Sequence, residues 1–148
     1  MDSAVAQDIA QASHRDQWTR FGDPVVEHVA RVAAAVPPEA RATAWLHDVL
    51  EKTGHSAWGL RARGLTRVEH EALDLLTRRP SEPYISYALR IADARGEAGR
   101  IARMVKRADL DDHLAHTPIP EGAPPYGRAH RRIAAAQVRN GERAWARR

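Results

Sequence analysis

The chain has 148 residues, 23 lysines and arginines against 19 acids, a formal net charge of +4 and no cysteine, so a disulfide framework, a thiolate metal site and a cysteine nucleophile are all excluded. That length suits one domain with a single core, and 43% hydrophobic with 28% charged residues argues against both disorder and a membrane protein. No apolar run approaches the roughly 20 residues that span a bilayer, and Ala4-Val5-Ala6 is too brief for a signal peptide, so the expectation is a soluble, cytoplasmic protein.

Asp2 or Ser3 can cap a first helix reaching Gln17, with Val5, Ile9 and Ala12 at helical spacing. Gly22-Asp23-Pro24 reads as a helix start with Asp23 as the N-cap, followed by a stripe of Val25, Val29, Val32 and Val36 that stops at Pro37-Pro38. Pro38 opens a third helix that runs through Ala44, Trp45, Leu46 and Val49 to Glu51 and closes at Thr53-Gly54. A short helix over 56–63 turns at Gly64. Thr66 with Glu69 forms a capping-box pattern ahead of Val68, Ala72, Leu75 and Leu76. Pro83 starts a further helix through Ile91, and another is predicted over 97–113 after Gly96. The segment 117–127 holds four prolines and is irregular, and a last helix covers 128–139 before Asn140-Gly141. No strand periodicity or internal repeat is present. The prediction is one all-α domain over 1–148, a bundle of about six to eight helices, with Trp18, Trp45, Trp58 and Trp145 as core or staple residues.

The informative residues are histidines and acids on helices. His47-Asp48 precedes Glu51 by one turn, which at about 100° per residue puts Asp48 and Glu51 on one face beside apolar Ala42, Trp45, Leu46 and Val49. His28 sits among Val25, Val29 and Val32, and Asp109 among Met104, Val105 and Ala108. Such groups on apolar faces are costly unless paired or metal-bound. Two imidazoles and two carboxylates suit a borderline divalent ion such as Mn²⁺, Fe²⁺, Ni²⁺ or Zn²⁺, with octahedral positions left for water and a substrate oxygen. Read singly, His28 suits a hydrogen-bonded helix histidine and Asp109 has Arg103 and Arg107 as alternative partners. Arg78 and Arg79 could reach phosphate, and Tyr84 or Tyr126 could stack on a nucleobase. Neither a GxxxxGK[ST] loop nor a serine nucleophile elbow is present.

His28, then His47-Asp48 with Glu51, then Asp109 resembles the H…HD…D pattern of the HD-domain metal-dependent phosphohydrolases. The flanks are similar to the RelA/SpoT-type alarmone hydrolases and their small relatives. Ser13-His14-Arg15-Asp16-Gln17 and Gly22-Asp23-Pro24-Val25-Val26-Glu27-His28 resemble "AHxGQ…GxPYxxH", and 45–53 resembles "LLHDxxEDT". Leu76-Thr77-Arg78 with Tyr84 is similar to "LTR…Y", and Val105-Lys106-Arg107-Ala108-Asp109 to "VKLAD". The likeness covers 8–114. It implies that His28, His47, Asp48 and Asp109 ligate one divalent ion, typically Mn²⁺, and that Glu51 orients or deprotonates the attacking water. Arg20 then matches a nucleotide-contacting basic position, and Thr53 the threonine after the acidic pair. The implied activity is hydrolysis of a phosphate or pyrophosphate ester of a nucleotide-like small molecule, with the 3′-pyrophosphate of an alarmone as the family default. Three departures bear on this. Lys52 replaces the second acid of the pair beside the catalytic Glu51, His113 replaces an asparagine that hydrogen-bonds substrate, and Val25 replaces the tyrosine of "GxPY".

The competing expectation is a degenerate domain that binds nucleotide or nucleic acid without turnover. It rests on Lys52 and on a basic C-terminal helix and tail over 128–148, with Arg128, Arg131, Arg132, Arg139, Arg143, Arg147 and Arg148 against Glu142 alone. The pI of about 10.1 is weak support, because Lys52 and Lys106 are the chain's two lysines and arginine raises the pI without adding net charge. A solvated helix face accounts for the same arginines.

Overall fold

A computed structural model describes residues 1–143 and 145; Arg147 and Arg148 of the predicted basic tail lie outside the described residues. The described residues are all-helical: α1 (Ser3–Ser13), α2 (Val25–Ala34), α3 (Pro38–Leu46), α4 (Val49–Lys52), α5 (Ala57–Ala62), α6 (Arg67–Leu76), α7 (Tyr84–Asp93), α8 (Gly96–Leu114) and α9 (Tyr126–Arg139). Because α4 is a single turn that resumes α3, the bundle has eight helical rods in the predicted order. None of the described helices is long and apolar enough to cross a membrane.

Local chemistry explains most boundaries. Thr66 accepts from the Glu69 amide while Glu69 reaches back to the Thr66 amide at 2.7 Å, the reciprocal cap that starts α6. Ser56 caps α5 through Gly59. Pro38 stands at the first position of α3, where its missing N–H leaves nothing unpaired.

Several boundaries differ from the sequence prediction, α9 for instance starting at Tyr126 rather than 128, and three of the differences have a clear local cause. α1 stops at Ser13, because the His14 ring is fully buried and its Nδ1 bonds Gln17 Oε1 at 2.7 Å, which turns the chain. Asp23 does not cap α2. Its carboxylate takes the Thr19 hydroxyl and the Arg31 guanidinium instead, and Pro24 stands at the N-cap without a side-chain bond. The third helix is not continuous to Glu51. His47 Nδ1 lies 2.7 Å from the Ala44 carbonyl, which also receives the His47 amide at 3.4 Å, so that carbonyl is withdrawn from the Asp48 amide and the helix breaks at His47-Asp48.

α8 is the axis of the bundle and touches α2, α3, α6, α7 and α9. Its Ala102, Val105 and Leu110 are buried against Val29 and Val32 of α2, Leu46 of α3, Leu73 of α6, Ile91 of α7 and Ile133 of α9 in one core. Each of those larger side chains contributes about 1.5–3 kcal/mol by leaving water. Of the four tryptophans only Trp45 joins the core. Trp18 and Trp58 are 68% and 75% exposed, and Trp145 is exposed as well, since none of the three lies on a helix stripe that faces α8.

Candidate metal centre

The polar groups that the core tolerates sit where α2, α3 and α8 meet. His28 comes from α2, His47 and Asp48 from the break between α3 and α4, and Asp109 from α8, and all four are buried. Apolar stripes on each helix carry these groups inward, and the break at His47-Asp48 lets two consecutive residues face the same point.

Both imidazoles have their orientation set from behind. His28 Nδ1 bonds Asp112 Oδ2 at 2.7 Å, and His47 Nδ1 donates to the Ala44 carbonyl at 2.7 Å. Each Nε2 therefore points forward, and neither has a hydrogen-bond partner although each is fully buried. His28 Nε2 lies 3.0 Å from Asp109 Oδ1 and 3.9 Å from Asp48 Oδ2; His47 Nε2 lies 3.4 and 3.6 Å from the same two oxygens. Two imidazole nitrogens that face two carboxylates at this spacing can take a cation between them. Adjacent ligands of an octahedral ion with bonds of about 2.1 Å are about 3.0 Å apart and opposite ones about 4.2 Å, and these four nitrogen–oxygen distances fall within that range. One donor atom each of His28, His47 and Asp48 falls within 4.8 Å of the others, as does one each of His28, Asp109 and His113. These buried groups can hold a metal ion.

The electrostatics agree. Burial alone would lower the His28 imidazole, but Asp109, Asp112 and Asp48 outweigh it and push it up to about 9. Burial would raise Asp109, yet the Lys106 ammonium and the surrounding imidazoles hold it well below the usual carboxylate range. Asp48 is held low against the same burial by His47 and Lys52. The pocket thus keeps its acids ionised and favours positive charge at its centre. Glu51 behaves differently: desolvation and then the Asp48 charge raise its carboxyl, which suits a group that accepts a proton.

The centre opens into a cleft of about 330 Å³. Arg20, Glu51, Lys52, Arg78 and His113 all line it together with His47, Asp48 and Asp109. Lys52 Nζ bonds Asp48 Oδ2 at 3.0 Å, and the Arg78 guanidinium stands over the Tyr84 ring at 5.6 Å while its Nε bonds the Glu82 carbonyl. Tyr84 and Tyr126 face the cleft, and Trp18 stands at its mouth. Thr53 does not line the cleft. Its hydroxyl donates to the Val49 carbonyl at 2.6 Å and closes α4. Arg103 and Arg107 are not partners of Asp109 either: Arg103 is engaged by Glu142 and Arg107 by Gln137.

Two residues of the candidate centre were missed by sequence reasoning. Lys106 is buried, with Nζ 2.7 Å from Asp109 Oδ2 and 4.9 Å from the Tyr87 ring centre. Its sequence signals are its place one turn before Asp109 and its match to the lysine of the "VKLAD" resemblance, neither of which announces a buried ammonium. Asp112 links His28 to Arg31, whose Nε lies 2.6 Å from Oδ1, and Arg31 in turn holds Asp23 in the loop that carries Arg20. Its one signal is its place one turn beyond Asp109. No protein-family model matches the chain, and no curated protein matches it.

Proposed function

We propose that the protein is a metal-dependent phosphohydrolase of the HD-domain kind, acting on a phosphate or pyrophosphate ester of a nucleotide-like small molecule. The observation that carries the reading is the pair of buried, unpartnered Nε2 atoms of His28 and His47 aimed at Asp48 and Asp109 on the floor of a cationic cleft. A divalent ion, Mn²⁺ by the resemblance, would supply Lewis-acid charge and lower the pKa of water there. Glu51 holds the attacking water and takes its proton at the carboxylate. The water oxygen forms the new bond to phosphorus as the bond from phosphorus to the ester oxygen breaks, and solvent protonates the leaving oxygen. Arg20, Lys52 and Arg78 on the cleft wall bind the phosphate oxygens, and the half-buried Tyr84 offers a ring for a base, whereas Tyr126 is buried with a face stacked on His113.

A panel of nucleotides and alarmones, incubated with Mn²⁺ and scored for released phosphate or pyrophosphate, tests the reading. Turnover of at least one substrate is expected, with Glu51→Gln lowering kcat by about 10²–10⁴ and leaving KM nearly unchanged. Metal binding without turnover of any substrate would overturn it.

One observation favours a second reading, nucleotide binding without turnover. Lys52, which stands where the resembling enzymes carry an acid, is ion-paired to the candidate ligand Asp48. On that reading the panel binds with affinity that falls as salt rises, and Lys52→Asp creates activity that the wild-type protein lacks. The arginines of α9, Arg128, Arg131, Arg132 and Arg139, lie exposed along one helix and fit a solvated face.

A further inference from the structure

His113 stands one turn beyond Asp109 on α8 and is held more tightly than a group that meets substrate by its tip. Its ring is stacked on His28, with centroids 4.8 Å apart and planes 17° apart, and on its other side on Tyr126 at 4.7 Å and 18°. Phe21 adds a third ring at 5.3 Å. Nδ1 is buried with no partner among the described residues, so the ring's polar contact with the protein runs through its other nitrogen. Nε2 lies 3.1 Å from Asp109 Oδ1. Three imidazole nitrogens consequently surround that one oxygen, at 3.0 Å from His28, 3.4 Å from His47 and 3.1 Å from His113. All three distances match adjacent corners of an octahedron with bonds of about 2.1 Å, whose edges are about 3.0 Å. His28, Asp109 and His113 also place one donor atom each within 4.8 Å of one another.

We propose that His113 is a fifth protein ligand of the metal centre, through Nε2, and that this third imidazole moves the ion preference away from Mn²⁺ towards Ni²⁺ and Zn²⁺. The inference rests on the metal-centre reading above and deepens it. Four ligands, two of them carboxylates, are compatible with Mn²⁺. A donor set of three nitrogens and two oxygens favours ions that seek imidazole, and the general affinity order rises from Mn²⁺ to Ni²⁺. It also leaves one octahedral position open rather than two, which restricts the site to a single exchangeable oxygen. His113 then does the work of a ligand where the resembling enzymes carry a substrate-contacting asparagine.

The test uses the full-length protein loaded with Ni²⁺, with imidazoles counted by X-ray absorption, and competition titrations of Ni²⁺ and Mn²⁺ into the wild type and His113→Phe. Phenylalanine keeps the ring stack and removes the nitrogen. Three imidazoles are expected in the wild type and two in the variant. Ni²⁺ affinity should fall at least tenfold in the variant, while Mn²⁺ affinity falls less than threefold. A count of two in the loaded wild type, or equal losses for both ions, would overturn the inference and leave the hydrolase reading standing. A wild-type protein that binds neither ion would overturn both. Should His113→Phe fail to fold, the wild-type count alone decides.

Discussion

Replacing Asp112 by asparagine leaves the volume of the side chain almost unchanged and removes one charge. In the wild-type protein its two oxygens serve two donors at once, His28 Nδ1 at 2.7 Å and Arg31 Nε at 2.6 Å. Burial would raise this carboxyl, but the bonds from His28 and Arg31 hold it well below the usual carboxylate range, so it is an anion under all ordinary conditions. An asparagine has one oxygen and one amide. If the oxygen stays with Arg31, the amide faces His28 Nδ1, the ring proton moves to Nε2 and the lone pair that a metal needs is lost. If the oxygen turns to His28, Arg31 loses its acceptor and the imidazole its ionic partner. Loss of a partner behind a metal-bound histidine weakens binding by about 10–100-fold, which is about 1.4–2.7 kcal/mol. The assay is competition for Zn²⁺ against a chromophoric chelator at pH 8. Asp111→Asn serves as control, since Asp111 is 61% exposed and pairs with surface His130. Asp112→Asn should lose at least tenfold and the control less than twofold. Asp112→Asn binding within twofold of the wild type would refute the claim that the carboxylate orients the His28 ligand.

Lys106→Met leaves Asp109 Oδ2 buried without its donor and should lower stability by about 3–5 kcal/mol in urea unfolding; saturating Zn²⁺ should recover part of the loss, because Asp109 then faces a cation again. The raised His28 value sets a pH dependence for the ion-free protein. With an ordinary value of 6.5 and a folded value of about 9, the stabilisation is full below pH 6.5 and is lost as pH rises through 9. It amounts to a loss on the order of 3 kcal/mol, read as a falling urea midpoint in the presence of chelator and absent from His28→Gln. Gly99→Ala places a Cβ 2.7 Å from the Ala94 carbonyl carbon and closer still to its oxygen, so α8 must shift at its start. A cost of about 1–3 kcal/mol is expected, measured as a lowered Tm.

The local part of the fold was legible because its signals are local. The Thr66–Glu69 box, Pro38 and Pro83 mark helix starts through groups within one turn, and the valine stripe of α2 announces its buried face. What failed was competition for those same local groups by distant ones. Asp23 had the right type and place for a cap, yet Arg31 and Thr19 claim its carboxylate. The His47 ring takes the carbonyl that a continuous helix would use, and periodicity carries no trace of a side chain that bonds its own backbone. The candidate metal quartet was legible as unusual polar residues on apolar faces. Asp112 and Lys106 were not, because their roles depend on what folding supplies: 84 positions separate Asp112 from His28, and Lys106 is one of four basic residues on a helix with as many acids, with nothing in the sequence to mark it as a buried one. Trp18 and Trp58 misled for the opposite reason, since large aromatic size suggests burial and neither lies on a face that meets the core.

The claim on which the account stands is that His28, His47, Asp48 and Asp109 together bind one divalent ion. Chelator-stripped protein, dialysed against micromolar Zn²⁺ or Mn²⁺ and analysed for bound metal, measures it directly. The account predicts one ion per chain for the wild type and a loss of binding by at least two orders of magnitude for Asp109→Ala that still gives a helical circular-dichroism spectrum. Full metal retention by folded Asp109→Ala, or a wild-type protein that takes up no ion, would contradict it.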